Sequence, residues 1–334
     1  MAYSEDMLTR MELTALAEPG NPVTGQLVLA IGLTETLALI RDPDAAIPAA
    51  VDPLQGVRWR QAAAARQLDG LSDRLAELTD RHELRVLAPG SAGWPVALND
   101  LGDRAPLLLW ARGNPELLTA AVTSRVTITG ARAATSYGVR VTQELASQLA
   151  ASPRIIVSGG AYGIDAEAHR AALTTRPGST VAVLAGGVDR PSPRANAPLF
   201  ERIAESSGLL VSEAPPGSAP TRARFIARTR LMAALSGATV VPEAGSRSGS
   251  LRIAVTAYDL GRRAGAVPGP ITSAASTGCN LLLAEGFAEV VTGTADVETM
   301  LDPAPEAFRL PPAYQQVARR AAPDHGRAAR RLAL

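Results

Sequence analysis

Apolar positions recur every three to four residues in "EDMLTRMELTALAEPG" and again in "GQLVLAIGLTETLALIRDP", the spacing that lines one face of a helix. Glu18-Pro19-Gly20 predicts a stop for the first of these helices and Asp42-Pro43 for the second. "RWRQAAAARQLDGLSDRLAELTDRHEL" is a third helical pattern. Residues 1–84 are therefore expected to form a bundle of three or four short helices.

From Arg85 the periodicity changes. "LRVLAP" and "LLLWARG" are short apolar runs, and "SRVTITGARAATSYGVRVTQELASQLA" reads as strand, turn and helix. "RIIVSGGAYGIDAEAHRAAL" repeats that plan, and "STVAVLAGG" and "ATVVPEAGSRSGSLRIAVTAYDLG" continue it. Strands apolar on both faces, alternating with amphipathic helices, predict a mostly parallel sheet covered on both sides. The expected class is α/β, a Rossmann-like doubly wound domain over residues 85–295, where ligands sit beyond the carboxyl ends of the strands. Residues 296–334, rich in Pro and Arg, read as a tail too short to bury a core of its own.

Composition narrows the chemistry. Of 334 residues, 46% are hydrophobic and 19% charged, with a formal net charge of +1, so any nucleic-acid site has to come from local charge placement. All 33 basic side chains are arginine, which excludes a Schiff-base or P-loop lysine. The single cysteine, Cys279, excludes an intrachain disulfide and favours a reducing, cytoplasmic setting. No secretory signal and no stretch of apolar residues long enough to span a bilayer is visible, so no membrane partner is expected.

Several strand ends run into small residues: Gly130-Ala131-Arg132, Ser158-Gly159-Gly160, Ala185-Gly186-Gly187 and Ser248-Gly249-Ser250. Glycine lets backbone N–H groups approach an oxygen closely, and the following helix adds a favourable partial charge, so the four together suggest a phosphate-lined groove. Each turn alone is equally well explained by tight packing. Neither a P-loop nor a strict G-x-G-x-x-G fingerprint occurs after the first strand, and no nicotinamide or other cofactor is expected.

Between Glu213 and Glu243 there is no acid, yet Arg222, Arg224, Arg228 and Arg230 fall there with Phe225 among them. Arg224 and Arg228 share a helical face at i, i+4. Guanidiniums around an aromatic suit a single-stranded polynucleotide, by phosphate pairing and base stacking; a solvated helix with a core Phe is the alternative. Four neutralised phosphates would give a salt slope of log K on the order of −3. Asp165 and His169, also i, i+4, read either as an acid–base pair or as structural hydrogen-bonding groups. Glu213 and Glu243 each follow a strand and could face the groove. Three His and one Cys leave no expectation of a metal site, and no complete catalytic apparatus is visible.

Seven separated motifs occur in order: Gly130-Ala131-Arg132; Ser158-Gly159 through Gly163-Ile164-Asp165-Ala166 to Ala168-His169-Arg170; Ala182-Val183-Leu184 to Gly187-Val188-Asp189-Arg190; Leu210-Val211-Ser212-Glu213-Ala214-Pro215-Pro216-Gly217; Phe225 to Arg228-Thr229-Arg230; Glu243-Ala244 to Ser248-Gly249-Ser250-Leu251; and Val267-Pro268-Gly269 to Gly278-Cys279-Asn280. Over residues 85–290 they resemble the DNA-processing protein A (DprA/Smf) family, and the helical first region is similar to that family's sterile-alpha-motif-like domain. The resemblance implies a non-enzymatic, cytoplasmic homodimer. It would bind single-stranded DNA and load a RecA-type recombinase in natural transformation or related recombination. It also implies that Arg132 takes a phosphate, that Phe225 to Arg230 line the DNA path, and that Ser248-Gly249-Ser250 supply donors to the phosphates. The chain departs from the family pattern at Ala131, Tyr162 and Thr229, and the tail is too short for the family's winged helix. A nucleotide-binding Rossmann-like enzyme or sensor, in phage defence or on a mobile element, is the alternative, although its Pro-Gly-Gly-x-Gly-Thr motif is absent.

Overall fold

A computed structural model describes residues 3–302; the expected tail lies outside the described residues from 303 onward. Five helices come first: α1 (Glu5–Leu16), α2 (Pro22–Ile31), α3 (Leu33–Arg41), α4 (Pro53–Ala64) and α5 (Leu71–Arg81). Strands and helices then alternate as β1 (Arg85–Leu87), β2 (Leu109–Gly113), β3 (Arg125–Ile128), α6 (Ser136–Ala151), β4 (Ile155–Ser158), α7 (Ile164–Thr175) and β5 (Thr180–Val183). The remainder are α8 (Ala197–Glu205), β6 (Leu209–Ser212), α9 (Arg222–Ala234), β7 (Ala238–Val241), α10 (Ser250–Asp259), β8 (Arg263–Ala266), α11 (Thr277–Ala284), β9 (Glu289–Val290) and α12 (Thr294–Leu301). The chain divides into two compact units. One contains the residues up to Ala120 together with Val181–Leu231; the other contains Ala121–Thr180 together with the described residues from Met232 onward.

In the first unit the helical bundle differs from its sequence expectation in number. The second periodic run is two helices, because Gly32 adopts φ +84° and turns the chain by 118° between α2 and α3. The third run breaks likewise at Gly70, in the left-handed region at φ +65°, to give α4 and α5. Helical periodicity continues across both breaks, so the apolar spacing alone does not reveal them. The starts are locally specified: Asn21 and Asp52 accept from backbone N–H groups, each followed by proline at the first helical position. Leu13, Leu16, Leu27, Leu37, Ile40 and Trp59 form the bundle core. Trp59 is satisfied there by donating its Nε1 to Thr24 Oγ1 at 2.8 Å. β1 and β6 flank β2 antiparallel, and β6 pairs parallel with β5.

The second unit is wholly parallel, in the order β4-β3-β7-β8-β9. β3, β4 and β7 are buried at every position, as strands covered on both faces must be. Val126, Ile128, Leu145, Leu149, Ile156, Ile164, Val240 and Val297 share one core; Val241, Leu251, Cys279, Leu282 and Phe287 share another. The chain leaves β3 for β4 on one side and β7 for β8 on the other. The two crossovers therefore part at β3 and β7, and the carboxyl ends of such a pair are the usual ligand position in an α/β sheet. The α/β, mostly parallel Rossmann-like class is the observed one, with β1 and β2 as its antiparallel members.

Candidate nucleic-acid interface

In the second unit, the loops that carry Gly130, Arg132 and Glu243 are tied into one edge by short contacts. Ala131 donates its N–H to Glu243 O at 2.7 Å, and Ile164 donates to Ala131 O at 3.1 Å. A Cβ on Gly130 would lie 2.5 Å from Glu243 O, so this glycine is required by close approach of the loop after β7. Gly163 has φ +71°, and a Cβ there would lie 2.3 Å from Ala131 O. Arg132 is carried at the exposed tip of this assembly.

Glu243 is 2% exposed. Its Oε2 accepts from Thr135 N at 2.8 Å and its Oε1 from Thr135 Oγ1 at 2.6 Å. Thr135 in turn caps α6, accepting from Gly138 N at 3.3 Å. A Cβ on Gly138 would meet Glu243 Oε2 at 2.5 Å. The carboxylate thus fills the crevice between the loops after β3 and β7 and fixes the start of α6. Glu243 sets the shape of this edge and does not project from it.

Ser158 is also buried, and its hydroxyl donates to Ile128 O at 2.6 Å. It joins β4 to β3, so its side chain is spent; Gly159 follows it, buried at the strand end. The loop after β7 is more open. Ser248 and Ser250 share a hydroxyl hydrogen bond of 2.7 Å, Ser246 N donates to Thr277 Oγ1 at 3.1 Å, and Arg247 is exposed. Gly249 is in ordinary right-handed geometry at φ −65°, with nothing within 4 Å of an added Cβ. Neither strain nor internal packing accounts for this glycine.

The pair read as a possible acid and base is structural. Asp165 Oδ1 accepts from Thr129 Oγ1 at 2.8 Å and Oδ2 from Ala161 N at 3.3 Å. His169, fully buried, lies 2.7 Å through Nδ1 from Thr180 Oγ1, whose hydroxyl donates to Ile156 O. Burial pushes the Cys279 thiol up to about 12, with the charge of Glu243 adding to the effect. Among the described residues, no three His, Cys, Asp or Glu side chains gather in a metal-binding group. No single helix there is long and apolar enough to cross a membrane.

The first unit holds the arginine segment, and here the structure corrects the reading of an uncompensated cationic arm. Arg230 Nη2 pairs with Glu213 Oε2 at 2.6 Å, with the two side chains 7% and 9% exposed. Its Nε donates to Arg104 O at 2.7 Å and its Nη1 to Ala227 O at 2.8 Å. Glu213 Oε1 also accepts from Gly20 N at 3.2 Å. Arg228 is buried, donating Nη1 to Val183 O at 3.1 Å, with its guanidinium carbon 5.5 Å from the Phe225 ring centroid. Arg224 donates to Ala219 O at 3.0 Å and pairs with Glu18 at 3.5 Å. Of the four, only Arg222, at the first turn of α9, is exposed. The window from Glu213 to Glu243 is free of acid along the chain, but Glu18 and Glu213 reach it in space.

Sequence reasoning gave no role to Thr135, Tyr137 or Gly138, and named Pro268 and Gly269 only as part of a motif. The hydroxyl-then-glycine order of Thr135-Ser136-Tyr137-Gly138 carried a helix-cap signal, and Pro268-Gly269-Pro270 a fixed turn. Tyr137 donates its hydroxyl to Pro268 O at 3.0 Å, a contact between residues 131 positions apart that no local pattern encodes.

A family profile described as DNA recombination-mediator protein A matches residues 85–302. The chain belongs to that family. It is 47% identical over 248 residues to a putative DNA processing protein DprA of Mycobacterium tuberculosis, a match covering 71% of this chain and 62% of the relative. The chain thus spans 62% of that relative's length. It is 39% identical over 204 residues to the DNA processing protein DprA of Streptococcus pneumoniae, covering 61% of this chain and 70% of that one. The crystal structure of the Streptococcus pneumoniae protein superposes with TM-score 0.68 at 29% identity, covering 89% of this chain and 98% of the other. A DNA processing protein A from Helicobacter pylori, whose structure is described as showing a unique single-stranded DNA binding mode, superposes with TM-score 0.57 at 30% identity, covering 66% and 96%.

Proposed function

We propose that the protein binds single-stranded DNA as a recombination mediator, through the carboxyl edge of β3, β4, β7 and β8. The carrying observation is the edge itself. Gly130, Gly138 and Gly163 let three loops close on one another, Glu243 fixes them, and Arg132 and Arg247 stand exposed on two of them. A rigid frame beneath exposed arginines suits a flexible polyanion, because no ordering of the protein has to be offset on binding. Arg132 takes a phosphate. Ser248 N donates to Gly245 O and Ser250 N to Ser248 Oγ, so within this turn the Gly249 N–H and the Ser248 hydroxyl are offered to the phosphates; Gly249 leaves room for a phosphate where a side chain would not. In the first unit, Arg222 takes a further phosphate and Phe225 offers a ring, while Arg224, Arg228 and Arg230 hold α9 in place. The relatives' descriptions as DNA-processing proteins, and the single-stranded DNA mode of the Helicobacter pylori protein, support this reading.

The protein acts by binding and not by catalysis. It works as a cytoplasmic homodimer that hands its strand to a RecA-type recombinase. A gel-shift series with single- and double-stranded oligonucleotides at rising salt tests the DNA reading. Single strands are bound preferentially, with log K falling linearly in log salt. Arg132→Ala lowers the slope by about 0.7, the share of one phosphate on a single strand. Equal binding of wild type and the Arg132→Ala, Arg247→Ala double variant at low salt removes the reading. Sedimentation of the protein alone tests the dimer. Recombinase filament assembly on strands precoated with a single-strand-binding protein tests loading.

A further inference from the structure

Three tyrosines of this chain are tied down by internal contacts. Tyr3 donates its hydroxyl to Asp80 Oδ1 at 2.8 Å, and Tyr137 donates to Pro268 O at 3.0 Å. Tyr258 meets Phe287 edge-on, with ring centroids 5.5 Å apart. Tyr162, in the loop after β4, differs. It is 50% exposed, and among the described residues its side chain has neither a hydrogen-bond partner nor a ring partner. Contacts inside the protein therefore do not account for an aromatic at this position.

The ring stands on a rigid support. On its amino side, Ala161 donates its N–H to Asp165 Oδ2 at 3.3 Å and accepts at its carbonyl from Ala166 N at 3.1 Å. Asp165 is itself anchored by Thr129 Oγ1 at 2.8 Å. On its carboxyl side, Gly163 accepts from Glu167 N at 3.0 Å. A Cβ on Gly163 would lie 2.3 Å from Ala131 O and 2.5 Å from Arg132 O. The residue after Tyr162 is thus pressed against the backbone of Arg132, whose side chain is exposed on the neighbouring loop. A ligand has only the two side-chain torsions of Tyr162 left to fix, so little entropy is lost on engaging the ring.

Phosphates alone do not separate single from double strands, since both present them. A base face does. In a duplex the interior bases are stacked on their neighbours, whereas an unpaired strand can lay a base on an aromatic ring. We infer that Tyr162 is a stacking platform for one base of a strand whose phosphate lies on Arg132. The platform rests on the single-stranded DNA reading above and adds to it a group that selects unpaired DNA. Stacking tolerates every base, so the site carries no sequence preference. A neutral ring releases no counterions, so its share of the affinity is independent of salt.

The test is fluorescence anisotropy of full-length protein with oligothymidylate, an abasic strand of equal length and a duplex. Tyr162→Ala is expected to weaken binding of oligothymidylate about tenfold, within the range of one base stacked on an aromatic side chain. The salt slope of log K stays that of wild type, and affinities for the abasic strand and the duplex are unchanged. Tyr162→Phe retains the affinity for oligothymidylate; Tyr162→Leu, apolar but not aromatic, loses it. A bound strand carrying 5-iododeoxyuridine is expected to crosslink on irradiation to the tryptic peptide of residues 155–170, in which Tyr162 is the only Phe, Trp or Tyr. Wild-type affinity of Tyr162→Ala for oligothymidylate, or crosslinks only outside that peptide, overturns the platform and leaves the DNA reading intact. A loss shared equally by the abasic strand, or a lowered salt slope, also overturns it, since either places the effect on the sugar–phosphate backbone and not on a base. No strand bound by the wild type removes the DNA reading and the platform with it.

Discussion

Replacing Arg230 by alanine strips the buried Glu213 carboxylate of its charged partner. In the wild type, Glu213 Oε2 accepts from the guanidinium at 2.6 Å and Oε1 accepts from Gly20 N at 3.2 Å. The same guanidinium also serves Arg104 O and Ala227 O. In the variant a carboxylate that is 9% exposed keeps one backbone donor, and Arg104 O loses the guanidinium, whereas Ala227 O, inside α9, keeps its helical partner. Breaking a buried pair from one side costs about 3–5 kcal/mol, most of it the desolvation of the charge left behind. The double replacement Arg230→Met with Glu213→Leu removes both charges. It is expected to come within about 2 kcal/mol of wild type, the remainder being the orphaned Gly20 N–H and Arg104 carbonyl. Urea unfolding followed by circular dichroism measures all three proteins. The same variant separates a structural arginine from a DNA-facing one. In the folded range of urea-free buffer, Arg230→Ala leaves the salt slope of single-strand binding unchanged, whereas Arg132→Ala lowers it. A wild-type unfolding midpoint for Arg230→Ala, or a reduced salt slope, would refute the account of this ion pair.

Two glycines in the candidate edge should behave oppositely. Gly163→Ala meets Ala131 O at 2.3 Å in a backbone region unfavourable to L-residues, and is expected to cost at least about 1–3 kcal/mol by thermal or chemical unfolding. Gly249→Ala meets nothing, so stability stays within about 0.5 kcal/mol of wild type while affinity for oligothymidylate falls. Thr135→Val removes the cap of α6 and one partner of Glu243; a loss of about 1–2 kcal/mol is expected in the unfolding free energy, and an unchanged value counts against the capping role. The Cys279 thiol is raised from 9.0 to about 12 by burial, so the unfolded chain ionises first. Its contribution to stability is complete below pH 9 and is lost as pH climbs toward 12. Thermal melts between pH 8 and 11 should therefore fall less steeply in Cys279→Ala, and the native thiol should react with a disulfide reagent only on unfolding.

The element types were legible because they depend on neighbours in the chain. Alternating helical and strand periodicity gave the α/β class, and runs such as "RIIVS" and "ATVVP", apolar on both faces, announced a covered parallel sheet. Two breaks in the first region were not legible. A glycine at position 32 or 70 interrupts the backbone without interrupting the apolar spacing, since both helices use the same core.

The candidate site divides along the same line. Gly130 and Arg132 were visible as a turn between strand and helix, because the need for a small residue there is local. The fate of a charged side chain is set by whatever lies within a few ångströms, and that is not a property of its own segment. Arg230 looked uncompensated in its window until Glu213, 17 positions away, folded against it, and Arg224 until Glu18 did. Glu243 could be placed after a strand, but only the meeting of the loops after β3 and β7 made it the carboxylate that holds Thr135 and closes a cavity. By itself the sequence determined the periodic elements, the sharp turns and the absence of lysine chemistry. The tertiary structure alone decided which arginines are spent inside the protein and which stand at its surface, because Coulombic and hydrogen-bond partners are chosen by distance in space and not by order along the chain.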